Sequence, residues 1–125
     1  MNTLVIIGQI VLGLFFLMSG LNHFMKYDMM VSYGRIMKLP MPALSVVLSG
    51  LVMVFGAIIL FGLSAFNPVL VKWGLGLLIA FLVLVSFMMH RFWSMPADKR
   101  MENMLYFKSN IALAAALLMI FATVV

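Results

Sequence analysis

Long apolar runs alternate along the chain with short polar stretches, and the runs have the length of membrane helices. The first extends from Thr3 to Leu21, with no charged residue before Lys26. A helix of about 20 residues crosses a hydrocarbon core of roughly 30 Å, so this run is long enough to span. Within it Gln9, Gly13, Phe16, Gly20 and His23 recur at spacings of four and three. Small and polar groups on one stripe predict the side that faces other helices. A signal peptide would have a basic start and a shorter apolar core, so the run is expected to be a retained helix.

Between Asn22 and Pro42 the charges of Lys26, Asp28, Arg35 and Lys38 interleave with Phe24, Tyr27, Met29, Met30, Tyr33, Ile36 and Met37. That stretch is too charged to span and predicts a short helix lying in the interface. Leu39-Pro40-Met41-Pro42 ends it, because a residue before proline is kept out of the α region. A second span is expected from about Ala43 to Gly62, with the turn chemistry of Ser64 to Pro68 after it. The third span runs from Val69 to Met89 and stops at His90-Arg91-Phe92-Trp93. Amphipathic rings and a snorkelling guanidinium mark the boundary with the headgroups there. Ser94 to Arg100 reads as a polar loop, and the fourth span begins near Met101 to Met104 and reaches Val125. The predicted fold class is all-α. It is a polytopic membrane protein with a single membrane domain, an antiparallel four-transmembrane-helix bundle with spans at about 3–21, 43–62, 69–89 and 104–125, and a short interfacial amphipathic segment after the first helix.

Composition agrees with the pattern, since 66% of the residues are apolar and only 9% are charged, against about a quarter charged in soluble domains. Eight Lys and Arg outnumber three Asp and Glu. The basic residues lie scattered between spans and form no arm or patch, so they are read as setting topology and touching lipid, with no nucleic acid as partner. No cysteine is present, which excludes dithiol exchange by this chain and clusters held on its own thiolates. Lys26, Arg35 and Lys38 follow the first span and Arg91, Lys99, Arg100 and Lys108 follow the third, while Lys72 stands alone on the other side. The positive-inside tendency then predicts cytoplasmic basic loops and extracytoplasmic termini.

That topology brings His23, Lys26, Asp28, Tyr33, Arg35, His90, Trp93, Tyr106, Lys108 and Asn110 to one mouth of the bundle. Polar groups near membrane depth are costly unless paired or hydrated, so the cluster is a candidate site. His23, Arg35, His90, Trp93, Lys108 and Asn110 are its candidate ligand-binding residues, with His90 and Asn110 expected to face each other. A quinone or an anionic lipid would place its head against Lys108, His90 and Arg35 and its tail along the glycine-rich faces of the first and third spans. Each residue also has a plainer role: the histidines can cap helix ends, Lys108 can snorkel, and the fourteen methionines can serve as adaptable packing. Two histidines without an acidic residue inside a span suit neither a metal site nor haem. No nucleophile–base pair, phosphate-cradling glycine loop or paired carboxylate is present, so catalysis is not read from the residues themselves.

Ser19-Gly20-Leu21-Asn22-His23-Phe24, Leu39-Pro40-Met41-Pro42, Ser49-Gly50, Phe61-Gly62, His90-x-Phe92-Trp93 and Lys108-Ser-Asn110-Ile-Ala-Leu113 resemble, in order and spacing, the landmarks of the DoxX family of small four-helix membrane proteins. The resemblance covers almost the whole chain. It implies the cell membrane of a bacterium or archaeon, and an accessory subunit of a membrane redox system with redox enzyme subunits as partners. The alternative is a noncatalytic scaffold or assembly factor that binds partner helices, or other copies of itself, through glycine and alanine faces. The chain departs from the family where many members carry a glutamate after the Ser-Gly of the second span, because Met53 stands there. Any role needing that carboxylate has no counterpart here.

Overall fold

The computed structural model describes residues 2–124; Met1 and Val125, the last residue of the expected fourth span, lie outside the described residues. The first helix, α1 (Thr3–Met25), starts where the Asn2 side chain accepts a hydrogen bond from the Leu4 N–H at 2.8 Å. A side-chain oxygen at this position satisfies one of the amides a helix start leaves open. α1 runs four residues beyond the expected end of the span and breaks at Lys26, after which α2 (Tyr27–Ile36) carries the amphipathic segment.

α2 ends in a Schellman turn. Leu39 N–H donates to Gly34 O at 2.8 Å and Lys38 N–H to Arg35 O at 3.0 Å, with Lys38 in the left-handed region at φ 59°. The Leu39 side chain closes over Gly34, where a Cβ would lie 3.3 Å from Leu39 Cδ2. This is the apolar contact that accompanies such a cap. α3 (Pro42–Phe61) begins on proline, and Ser45 Oγ donates back to Pro40 O at 2.6 Å. α4 (Pro68–Met89) is started by Asn67, whose side chain accepts from Val69 N–H at 2.8 Å, with Pro68 in the first turn where its missing N–H costs nothing.

A 3-10 turn at Phe92–Ser94 leads into α5 (Ala97–Thr123), so most of the stretch expected as a loop is helical. Pro96 occupies the N-cap at φ −56° and Asp98 lies in the first turn, where a carboxylate complements the helix dipole. Asp98, Lys99 and Arg100 are excluded from hydrocarbon by their charge, but nothing in that charge excludes them from a helix.

α1, α3, α4 and α5 are each long and apolar enough to cross a membrane. They lie in the order α1, α3, α4, α5, each packed mainly on the next. Pairings along the interfaces make successive spans antiparallel. Gly13 of α1 meets Phe61 while Gly20 meets Val54, and Gly56 meets Leu78 while Gly74 meets Ile59. On α5, Phe107 meets Phe87 and Phe121 lies under Lys72. The closest approach is between α1 and α3, where a Cβ on Gly20 would stand 2.8 Å from Val54 Cγ2 and 3.0 Å from the backbone oxygen of Gly50. Only glycine lets the two backbones come this near. Gln9, Gly13, Phe16 and Gly20 are the buried residues of α1, the stripe that its spacing predicts.

The main core joins Phe16, Ala57, Leu60, Leu75, Leu78 and Leu117 across all four spans. Outward residues such as Leu4, Val11, Met18, Leu118 and Met119 are exposed on α1 and α5, as lipid contact requires. Gln9 is 6% exposed, and its Oε1 has no hydrogen-bond partner among the described residues.

Candidate functional site

Where α1 and α4 end and α3 and α5 begin, the bundle is not filled. A cleft of about 670 Å³ lies there, bounded by the last turns of α1 and α4, by α2, and by the first turns of α3 and α5. Its walls are apolar, formed by Met29 and Met30 of α2, Val46 and Val52 of α3, and Phe81, Leu84, Val85 and Met88 of α4. The sequence opens this space by placing small residues on α3. Ser45 and Ser49 fill little volume, and each hydroxyl is turned to its own backbone, Ser49 Oγ donating to Ser45 O at 2.7 Å.

The polar end of the cleft is organised by Asn103, which is 2% exposed. Its Nδ2 donates to Lys99 O one turn back at 2.9 Å, which fixes the orientation of the amide. Asn103 Oδ1 then accepts from the Tyr33 hydroxyl at 3.1 Å and from His90 Nδ1 at 3.1 Å. One carbonyl oxygen therefore ties α2, the end of α4 and α5 together. His90 also lies beside the Tyr106 ring, with centroids 5.1 Å apart, and Tyr106 donates to Glu102 Oε1 at 2.9 Å.

The imidazole Nδ1 and hydroxyl donors are committed, and this sets the chemistry of the cleft. An amide oxygen only accepts, so the proton of a neutral His90 sits on Nδ1 and its Nε2 carries a lone pair. A neutral His23 has the same tautomer, because its Nδ1 donates to Ser19 O at 2.7 Å. Nε2 of neither histidine has a partner among the described residues. The hydroxyls of Tyr33, Ser45, Ser49 and Tyr106 have each spent their proton on a partner within the protein, leaving oxygen lone pairs. The cleft thus offers acceptors, with Lys99 at its rim as the one cationic donor in the lining.

Of the residues proposed from sequence, His23 and His90 line the cleft, and Arg35, Trp93, Lys108 and Asn110 do not. Arg35 is exposed at the last turn of α2, and Lys108 is exposed on α5. Trp93 packs with Phe87, Phe92 and Phe107, its ring centroid 5.9, 5.2 and 5.6 Å from theirs, and fastens the end of α4 to α5. Asn110 is half-buried two turns beyond Asn103, so the partner expected for His90 is displaced along one face of the helix. The glycine stripes also differ from expectation, since Gly13, Gly20, Gly50, Gly56 and Gly74 are closed over by side chains and leave no groove for a ligand tail. Met53 is buried in the main core.

Sequence reasoning missed Asn103, Ser45 and Ser49. A signal for Asn103 was present: stepping back from Leu117 through Ala114, Asn110 and Phe107 at alternating spacings of three and four reaches it.

The fold and this site define a small polytopic membrane protein with four spans and a polar-ended cleft opening between them. The chain belongs to the family of the inner membrane protein YphA of Escherichia coli (strain K12), with which it shares 30% identity over 120 residues, 96% of this chain and 82% of that protein. No family model matches the chain, and no solved structure matches it. It is an integral protein of a bacterial membrane, in contact with lipid through its four apolar helices.

Proposed function

We propose that the cleft holds an amphiphile whose head donates hydrogen bonds, and that the protein acts as an accessory subunit of a membrane redox system, the role that its resemblance to the DoxX family implies. The observation that carries this reading is the pair of unpartnered Nε2 acceptors, on His23 and His90, at the polar end of an apolar cleft. A reduced quinone combines two hydroxyl donors with an apolar tail and so matches both parts. The apolar walls hold the tail, and the imidazoles orient the head by accepting hydrogen bonds from its hydroxyls. An anionic head suits the cleft less well, because Lys99 is the sole cation in the lining and Glu102 stands close by.

The alternative is a scaffold working through glycine and alanine faces: the glycines between α1, α3 and α4 are used within the bundle, while Gly8 and Gly76 are open and Ala112 and Ala115 are exposed on α5. The orientation in the membrane belongs to the same proposal: basic loops in the cytoplasm and termini outside. A reporter active only in the cytoplasm, fused after Val125, is expected to be silent, and an active one reverses the orientation.

The binding reading is tested by titrating purified protein with a short-chain quinol, the matching quinone and the quinol dimethyl ether. Binding is expected to be strongest for the quinol and weak for both the quinone and the ether, because each of these keeps the ring and lacks the two O–H donors. Equal binding of all three overturns the donor-head reading.

A further inference from the structure

A second recess, of about 300 Å³, opens beside the cleft under the connection between α2 and α3. It is lined by Lys38 of that connection, Arg91 and Ser94 after α4, and Pro96 and Lys99 at the start of α5, with Met37 and Met95 behind them. Three separate elements thus deliver a cation each, and no carboxylate lines the space. Among the described residues no ion pair neutralises any of the three. Arg91 is held in place by one hydrogen bond, Nη2 to Met37 O at 3.2 Å, which leaves most of its fork of donors uncommitted.

Two features of the backbone point the same way. Lys38 occupies the left-handed position of the Schellman turn, where glycine would avoid the Cβ penalty. α5 starts on Pro96 with no side-chain cap, which leaves the amides of Ala97 and Asp98 open at the edge of the recess, and the Asp98 side chain in the same turn is not part of the lining.

We propose that this recess binds a phosphate group, as the headgroup of an anionic phospholipid or as the free anion. It lies at the ends of α4 and α5, beside the aromatic cluster of Trp93, where a bilayer places its headgroups. A planar guanidinium flanked by two ammonium groups meets a tetrahedral oxyanion from several sides. The recess shares only Lys99 with the cleft, so it stands whether or not a quinol binds there.

The test is retention of added phosphatidylglycerol against phosphatidylcholine by the full chain in detergent, read by native mass spectrometry. Wild type is expected to prefer phosphatidylglycerol. Lys38→Gly and Lys99→Gln are each expected to weaken its binding about fivefold, the effect of one cation near an anionic surface. Lys38→Gly suits the left-handed backbone and so separates loss of charge from loss of fold. Lys72→Gln, the same change of charge at the opposite end of the bundle, is expected to have no effect. Displacement of the lipid by millimolar inorganic phosphate supports a site for phosphate itself, and retention in its presence supports a site for the lipid headgroup. Equal retention of the two lipids by wild type, or equal weakening by Lys72→Gln and Lys38→Gly, overturns the proposal.

Discussion

At the Asn67 end of the bundle, Phe16, Leu60, Leu75, Leu78 and Leu117 interdigitate in one core reaching all four spans; at the His90 end, the buried cluster consists of Met37, Met89 and Met95, with Tyr33, Leu39, Val85 and Met88 around it. Leucine and phenylalanine in close packing fix a geometry, whereas methionine, unbranched and polarizable, adapts to a changing neighbour. The contact of Gly13 of α1 with Phe61 of α3 and the leucines of α4 hold the spans in register. This frees the other end to keep a cleft and a polar array that contribute little to packing. With the proposed binding in the cleft, stability and recognition fall to different ends of the same helices, and substitutions at the two ends are expected to fail in different ways.

The largest effect is expected from Gly20→Ile. A side chain there meets Val54 and the backbone of Gly50, which cannot turn away, so the α1–α3 interface opens at a cost of about 3 kcal/mol, the upper end of the range for overpacking. A large fall in the thermal midpoint in detergent checks this, and because Gly50 also packs against His23 of the cleft, ligand binding is expected to weaken together with stability. Leu75→Ala removes a fully buried side chain and is expected to cost about 2 kcal/mol, near the low end for such changes because in a membrane packing is lost but little apolar transfer.

At the other end, Asn103→Leu deletes the acceptor of both Tyr33 and His90. Interhelical hydrogen bonds in a membrane contribute about 0.6 kcal/mol each, up to ~1.7, so stability is expected to fall by about 1 kcal/mol while binding in the cleft is lost. A double-mutant cycle is expected to show coupling between His90 and Asn103 and additivity between His90 and Asn110. Coupling to Asn110 would place the polar array two turns too far along α5. Gln9→Leu reverses the pattern at the packed end, because it replaces a buried oxygen that has no partner; a gain of about 1 kcal/mol is expected in the same thermal measurement. Lys108→Met is expected to be the smallest, within about 0.5 kcal/mol and without effect on binding, since the side chain is exposed and away from the cleft.

The packed end was largely legible in the sequence. Apolar runs of spanning length fix the helices, Asn67-Pro68 fixes a turn and a cap, and the Gln9-Gly13-Phe16-Gly20 stripe is the face that meets α3. These signals are local or periodic, and packing in a membrane has few other ways to satisfy them. The open end was less legible for two physical reasons. Charge in Asp98 to Arg100 reports where hydrocarbon ends but not where a helix begins, so the first turns of α5, and Asn103 with them, fell outside the expected span. The pairing of Asn103 with Tyr33 and His90 joins residues 70 and 13 positions apart, and no local pattern carries a contact of that kind. His23 and His90 could be placed at one mouth by topology alone, but the commitment of their Nδ1 atoms, which makes the cleft a set of acceptors, depends on distances.

The central claim is that the His90 end holds an amphiphile, head at Asn103 and tail against α3 and α4. It is tested most directly by photocrosslinking in native membranes with a quinol carrying a diazirine on its tail, followed by mapping of the modified peptides. Adducts are expected on α3 and α4 around Val52, Leu84 and Met88, suppressed by excess unlabelled quinol and absent in Asn103→Leu. Adducts confined to the lipid-facing residues of α1 and α5, unchanged by competitor and by the substitution, would contradict it.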